Sequence, residues 1–495
     1  MNEPWNTPRE AAVVDIGSNS VRLVLYRLEG RAIWTVFNEK VLAGLGRDLP
    51  ATGKLSPNGI EMALTALRRF AVVLESVRPA YVFVAATAAV REALDGPDFC
   101  SRVAAETGLQ VRVLTGEEEA RYSALGVLAG DPTAEGVVAD MGGSSLELIR
   151  LEGKTLKPGI TLPLGPFSLA DPAGFDADRL RSTIAARLTP AAKAFATDSL
   201  NAVGGGWRSL AQLHMAMNRY PIRIVHQYAM NADDAREVAR LVAQQSRASL
   251  DRLPGVSKKR AETLPYSALV LEGLIDTLGI KTINFSAWGL REGLLFEALD
   301  RDEADEDPLI AGCAALGGRQ GISPTLPGAL RGWLENVIAA LPTAFGSTRD
   351  AVLVSAACQL ADLGARLHPD HRLELVFDQV LRAPIPGQTH AERTFLACVL
   401  NARYGGSVAT PDPAVVERLL TETTRLRARA LGLAMRLGCD LSGRSPQLLA
   451  NATVRVDKGV LKLTASEGYA DALLGEQTRR RAKALAEVMK LKLDM

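Results

Sequence analysis

Residues 11–29 read AAVVDIGSNSVRLVLYRLE, and residues 136–151 read GVVADMGGSSLELIRL. In each stretch a short apolar run ends in an aspartate (Asp15, Asp140). The chain then turns on glycine (Gly17; Gly142 and Gly143) and resumes as a second apolar run. Strand, tight polar turn and strand together spell a hairpin. One plan at two distant places predicts an internal duplication: two similar domains, each presenting one Asp-Gly hairpin.

Glycine lets the backbone approach a ligand closely. Ser18, Asn19 and Ser20 in one turn, and Ser144 and Ser145 in the other, can join exposed N–H groups to cradle phosphate oxygens. One such turn is equally an ordinary polar turn. Two facing each other form a cleft that grips a phosphate chain and a divalent ion. Asp140 and Glu147 are the metal-side carboxylates on this reading, because magnesium takes oxygen ligands, waters and substrate phosphates. Glu147 alternates with Ser145 on the outgoing strand and so shares its face.

Between the hairpins, GEEEAR at 116–121 opens a helix with acids in its first turn, where the macrodipole favours them. One of Glu117, Glu118 and Glu119 is expected to face the cleft and activate a water, and spacing does not choose among them. AVGGGW at 202–207 is a third glycine-rich turn. It makes Gly204, Gly205 and Gly206 candidates for phosphate contact, although a tight turn explains it equally well.

Further out, residues 57–78 show amphipathic helical spacing and 80–86 read as a strand. A helix is expected over 176–197, a strand and turn over 200–206, a helix from Ser209, and strand, turn and helix over 282–299. The acidic run RDEADED at 301–307, closed by Pro308, reads as a linker. Beyond it, 328–403 and 410–440 carry helical periodicity. NATVRVDKGVLKLTAS then reads as a hairpin turning on Asp457-Lys458-Gly459, followed by a basic helix at 474–491.

A chain of 495 residues exceeds one core and suggests three or four domains. With a net charge of +1 the molecule is no general anion binder, so any polyanion site is a local patch. The five cysteines are far apart with no CxxC, which argues against zinc. Cys100, Cys358, Cys398 and Cys439 read as buried thiols suited to a reducing compartment. The N-terminus lacks a signal-peptide pattern, and no apolar run approaches the roughly 18 residues of a membrane span. The expectation is a cytoplasmic protein with no membrane partner. The arginines at 425, 427, 429 and 436, with Arg479, Arg480, Arg481 and Lys483, form either solvated helix faces or a basic track for a long polyanion. No aromatics interleave with them, so nucleic acid is not an expected partner.

VVDIGSNSVRLVLY, TGEEEARYSALGV, VVADMGGSSLELI, LPLGPFSL and NAVGGGWRSLA, in that order, resemble the exopolyphosphatase / guanosine pentaphosphate phosphatase family over roughly residues 11–300. The resemblance implies an α/β fold: a duplicated actin-like, ribonuclease H-like two-lobed module with its active site between the lobes. It implies lobes at 1–128 and 129–303, a helical HD-like domain at 304–408 and a terminal domain of helices and a β-hairpin at 409–495. By motif position the catalytic base matches Glu119, and Arg91, in AATAAVREA, matches a phosphate-contacting arginine. The first phosphate loop matches Asp15, Gly17, Ser18 and Asn19, and the second Gly142, Gly143, Ser144 and Ser145. The magnesium-side acids match Asp140 and Glu147.

The HD-like stretch departs from its pattern. It has Ala361-Asp362 where His-Asp would bind a metal, so a second metal centre is not expected, and His368, His371 and His390 read as structural or surface residues. The implied activity is release of the terminal phosphate of inorganic polyphosphate with magnesium or another divalent cation. Guanosine pentaphosphate is the alternative substrate. A kinase or ATPase of the same fold and a non-catalytic polyphosphate binder are remoter readings. A homodimer is implied by the resemblance alone.

Overall fold

The computed structural model describes residues 8–153, 155–171, 173–253, 256, 260–318, 323–405 and 410–495. Residues 1–7, which carry most of the N-terminal stretch read for a signal peptide, lie outside these. The chain divides into two compact units at Asp305/Glu306.

In the first unit, alternating apolar residues build β1 (Arg9–Ile16), β2 (Val21–Glu29) and β3 (Ala32–Val41). Next come helix α1 (Pro57–Val77), β4 (Tyr81–Ala86), the short α2 (Ala88–Glu92), β5 (Arg112–Val113) and α3 (Gly116–Gly130). Ala63, Leu67, Phe70 and Leu74 recur on one face of α1 and bury against Ala12, Val14 and Leu23 of the sheet. Each fully buried large side chain of this kind stabilises by roughly 1.5–3 kcal/mol.

The pattern then starts again. β6 (Gly136–Met141), β7 (Leu146–Glu152), β8 (Thr155–Leu156) and β9 (Ile160–Leu162) precede α4 (Ala177–Leu188), β10 (Ser199–Val203) and α5 (Gly205–Met217). β11 (Tyr228–Asn231), α6 (Leu264–Leu278), β12 (Thr282–Phe285) and α7 (Leu290–Glu297) complete the unit. The first sheet runs β3-β2-β1-β4-β5, with β1 antiparallel to β2 and parallel to β4. The second runs β11-β12-β10-β6-β7-β8, with β6 antiparallel to β7 and parallel to β10. The duplication read from the two hairpins is therefore present in the strand pairing.

Two helices cross between the sheets. Ala120, Ala124 and Val127 of α3 pack with Val138 and Ile149 of the second sheet. Leu294 and Leu295 of α7 pack with Ala11, Val13 and Val24 of the first. The helix that follows the first sheet in sequence is thus shared with the second, and the reverse holds for α7.

Several expectations need correction. The helix expected over 176–197 is broken by the 3-10 turn Thr189–Ala191. Pro190 lies there and lacks the N–H that would continue the helix. The helix expected from Ser209 begins at Gly205. Gly204 precedes it at φ 120°, and a Cβ there would stand 2.6 Å from the Met141 carbonyl oxygen, so glycine is required at this turn. The run 301–307 expected as a linker does contain the boundary between the units, and it carries a helical turn at Arg301–Asp305. Cys100 is only half-buried, whereas Cys313 is buried.

The second unit is mainly helical. Its longer helices are α8 (Ser347–Gln359), α9 (Arg372–Arg382), α10 (His390–Arg403) and α11 (Glu422–Leu441). The expected hairpin forms as β13 (Ala452–Asp457) and β14 (Val460–Ala465). The terminal helix, α12, spans Glu476–Met489, and an unanticipated β15 (Lys492–Asp494) adds parallel to β14. The arginines read as either solvated helix faces or a basic track are not all free in solvent. Arg427 is buried, 3.5 Å from Asp350, while Arg481 and Arg436 turn to Asp440. Asp362 faces Arg444 at 3.3 Å, His390 is buried and His368 is exposed.

Candidate active site

The two hairpin loops are built from the same bonds. Gly17 N–H donates to the Ser20 carbonyl at 3.0 Å, and Gly142 N–H donates to the Ser145 carbonyl at 3.0 Å. A second chain segment braces each loop from outside. Gly46 and Gly44 N–H donate to the Ser18 and Asn19 carbonyls (2.8 and 3.1 Å). Phe167 and Gly165 N–H donate to the Gly143 and Ser144 carbonyls (2.9 and 3.1 Å). With their carbonyls tied back, the loops are rigid and can present N–H groups and hydroxyls forward. They also face each other: a Cβ built on Gly143 would lie 3.0 Å from Ser18 Cβ.

Strand register sets what stands beside each loop. Asp15 pairs with Arg22 in the first hairpin, and Asp140 with Glu147 in the second. Helix α3 supplies the third acid, and its N-terminus decides which one. Thr115 and Glu118 form a reciprocal capping box, and Glu118 also pairs with Arg112. Glu117 is exposed. Glu119 alone of the three is buried, at 6% exposure. Its Oε2 lies 3.0 Å from Nη1 of Arg91, which also donates to the Leu114 carbonyl at 2.9 Å. One turn on from Glu119, the Ser123 hydroxyl donates to Asp140 Oδ2.

These acids crowd one another out of water. Burial pushes the Glu119 carboxyl up to about 7, opposed by Arg91 and reinforced by Asp140 and Asp15. Burial, then Glu119 and Asp140, hold Glu147 well above the ordinary carboxylate range. Asp140 is raised by burial and by Asp15, against the Ser123 hydrogen bond. Asp15 is raised by burial and lowered by Arg291.

A cavity of about 200 Å³ opens between the loops. Of the sequence-predicted residues, Asp15, Gly17, Ser18, Asn19, Glu119, Asp140, Gly142, Gly143, Ser145 and Gly204–Gly206 line it. Arg91, Ser144 and Glu147 are not part of the lining, and Arg91 binds the lining residue Glu119. The same lining is rich in cations: Arg22, Lys40, Arg208, Arg260 and Arg291 are all part of it, with Arg291 3.8 Å from Asp15. Burial and the neighbouring cations lower Arg22 to about 10 and Lys40 to about 8. Burial also lowers Arg208 and Arg260. Burial by itself lowers Arg291, but Glu292, Tyr26, Asp15 and Asp140 outweigh it and hold it above its ordinary value. Among the described residues Lys40, Arg208 and Arg260 form no ion pair within 4.0 Å. A cluster of like charges drawn partly out of water, with Lys40 at its exposed edge, is stabilised by an anion.

A family profile described as the Ppx/GppA phosphatase family matches residues 24–302, and one described as exopolyphosphatase, C-terminal, matches 323–495. The chain belongs to the Ppx/GppA phosphatase family. It is 30% identical over 312 residues to "Exopolyphosphatase 1" of Mycobacterium tuberculosis, covering 60% of this chain and 90% of that protein. The crystal structure of the Aquifex aeolicus Ppx/GppA family member superposes with a TM-score of 0.52 at 26% identity, over 58% of this chain and 97% of that one. An exopolyphosphatase structure from Cytophaga hutchinsonii shares the fold at 23% identity, with a TM-score of 0.55 over 59% and 98% of the two chains. The actin-like α/β fold and a phosphohydrolase activity follow from this membership.

Within this Ppx/GppA chain the cationic lining went unread in the sequence. Arg22 follows the first loop directly, Arg208 follows the glycine turn and Arg291 stands in AWGLREG, so each had a local signal. Lys40 and Arg260 had none, since neither adjoins a glycine motif. The outer braces also left a trace: LAGLGRDL at 42–49 and LPLGPFSL at 162–169 each follow a hairpin and end in a glycine-containing turn.

Proposed function

We propose that this enzyme is an exopolyphosphatase, hydrolysing the terminal phosphoanhydride of inorganic polyphosphate. The observation that carries this reading is the meeting, in the lining of one cavity, of the carboxylates Glu119 and Asp140 with four arginines and a lysine. A repeating anionic chain can satisfy several cations at once while its terminal phosphoryl group reaches the loops. Phe167 is the one aromatic side chain among the described lining residues, so the lining favours a phosphate chain over a purine that needs stacking.

The chain's own residues supply the chemistry as follows. The loop N–H groups and hydroxyls bind the terminal phosphoryl oxygens, and Arg291 and Arg208 offset the charge that develops there. Glu119 accepts a proton from the attacking water, a role suited to a carboxylate whose proton affinity burial has raised towards neutrality. Arg91 fixes the Glu119 carboxylate in place. The water oxygen bonds to phosphorus, the bridging P–O bond breaks, and its electron pair stays on the shortened chain. The products are orthophosphate and a polyphosphate one unit shorter.

A divalent cation such as magnesium fits the acidic side chains. Glu147 Oε1 is buried with no hydrogen-bond partner, and Asp140 and Glu147 lie directly opposite each other in the β6–β7 register. No group of three or more His, Cys, Asp or Glu residues gathers as a complete cage among the described residues. Two carboxylates completed by waters and substrate phosphates is a usual magnesium arrangement. Asp140 and Glu147 would hold such an ion, which would supply Lewis-acid stabilisation of the phosphoryl oxygens.

Specificity constants for long-chain polyphosphate and for guanosine pentaphosphate, measured by orthophosphate release, test the reading. A higher value for polyphosphate is expected. A higher value for the nucleotide would transfer the activity to it.

A further inference from the structure

Ser123 sits in the middle of α3, where a serine side chain ordinarily bonds back to the carbonyl one turn earlier or points to water. It does neither. It is 1% exposed, and its hydroxyl donates to Asp140 Oδ2 at the end of β6. Glu119 and Ser123 are four residues apart on one helix and therefore share a face. One turn of α3 thus carries the acid read above as the base and a hydroxyl clamped to the acid at the end of the second phosphate hairpin.

We propose that Ser123 is a positioning residue of the reaction, locking the Asp140 carboxylate into one orientation and fixing its distance from Glu119. This rests on the exopolyphosphatase reading of the same cleft. A serine hydroxyl has a single proton to give, and here Oδ2 takes it. No hydrogen bond to Oδ1 is formed among the described residues, so Oδ1 is the oxygen left to act in the cavity that Asp140 lines. Without the clamp the carboxylate can rotate about its last bond and exchange its two oxygens.

Gly289 shows how little else holds it. The Cβ that this glycine lacks would stand 3.7 Å from Asp140 Oδ2, so on that side the carboxylate meets hydrogen rather than a packed side chain. The β6–β7 register places Glu147 opposite Asp140, but the other strands fix only the Asp140 backbone. Ser123 is therefore the contact that couples the side-chain position of Asp140 to the helix bearing Glu119. The arrangement also links the lobes, because α3 leaves the first sheet and packs on the second.

The test compares Ser123→Ala, Ser123→Cys and Ser123→Thr with the wild type in the full chain. Alanine removes one oxygen atom, cysteine keeps the volume with a poor donor, and threonine keeps the hydroxyl. Orthophosphate release from polyphosphate gives kcat and KM, and titration calorimetry with Mn²⁺ reports the acidic side chains without turnover. Loss of an outer positioning hydrogen bond ordinarily costs roughly 10–100-fold in activity or metal affinity. The expected result is a fall of that order in kcat for the alanine and cysteine variants, with KM within about twofold, weaker Mn²⁺ binding, and at least partial rescue by threonine.

If the wild type releases phosphate and Ser123→Ala retains its kcat and Mn²⁺ affinity within about twofold, the positioning role is wrong. If threonine is as impaired as alanine, the site needs serine's size rather than its hydroxyl, and the role is again wrong. Should the alanine variant fail to fold, the cysteine and threonine pair decides. A wild type that releases no phosphate from polyphosphate would instead overturn the underlying functional reading.

Discussion

The two hairpins of the first unit share a backbone and differ in charge. Both carry an aspartate at the end of the incoming strand, a four-residue loop closed by a 3.0 Å glycine N–H bond, and two outer braces onto the loop carbonyls. Directly across from Asp15 stands Arg22, and directly across from Asp140 stands Glu147. The first hairpin therefore meets the cavity with an acid and a base, beside Lys40 and Arg291, and the second meets it with Asp140, whose cross-strand neighbour Glu147 is a second, buried acid outside the lining. Backbone geometry suited to cradling phosphate is common to both. The side chain at one matched position separates gripping an anion from organising the acids.

Substitutions at these positions test that contrast. The largest effect is expected at the acid that comes from outside either hairpin. Glu119→Gln, nearly identical in shape, should lower kcat by roughly 10²–10⁴-fold while circular dichroism stays unchanged. Next comes the acidic hairpin itself. Glu147→Gln should lower kcat by roughly 10–100-fold.

The same change should raise the Tm of the metal-free protein at neutral pH. A carboxyl whose folded pKa lies above its unfolded value costs stability at any pH above that unfolded value, so neutralising it removes the cost. A lower Tm with retained activity would show that Glu147 is a structural acid.

On the cationic hairpin the expected signature is different. Arg22→Ala should raise KM for long polyphosphate by roughly tenfold, the worth of one hydrogen bond to a charged group, and leave kcat nearly unchanged. KM should also become less sensitive to salt. Equal losses in kcat for the two hairpins would erase the division drawn here.

The smallest effect belongs to Lys40. It carries its charge below about pH 8 and loses it above, so KM should climb by roughly two- to threefold between pH 7 and 9 from this group. Lys40→Met should have the higher KM at every pH and lack that increment. Polyphosphate KM measured across the range in both proteins checks it.

Much of the fold was legible because its signals are local. The hairpin at 452–465 announced itself through alternation and Asp457-Lys458-Gly459, with Lys458 at φ 45°. β15 was not, since three residues have no period to read and their partner strand is set by contacts elsewhere. The break at Pro190 was readable from proline chemistry but was overridden by the apolar spacing on either side. The arginines of α11 show the same limit: spacing lists them, but only packing turns Arg427 inward to Asp350.

The two Asp-Gly loops, their duplication and the order of motifs that places the chain among Ppx/GppA phosphatases can be read along the chain alone, because turn chemistry and strand alternation act over a few residues. The same reading could offer three acids at 117–119. The choice of Glu119 by burial belongs to the folded helix, whose capping box uses Glu118 and whose first turn leaves Glu117 in solvent. The cationic lining belongs to tertiary structure as well. Lys40, Arg208 and Arg260 lie on segments far apart in sequence, and their shared field exists only once two sheets and two exchanged helices bring them to one cavity. Charge acts across space rather than along the chain, so no local pattern encodes it.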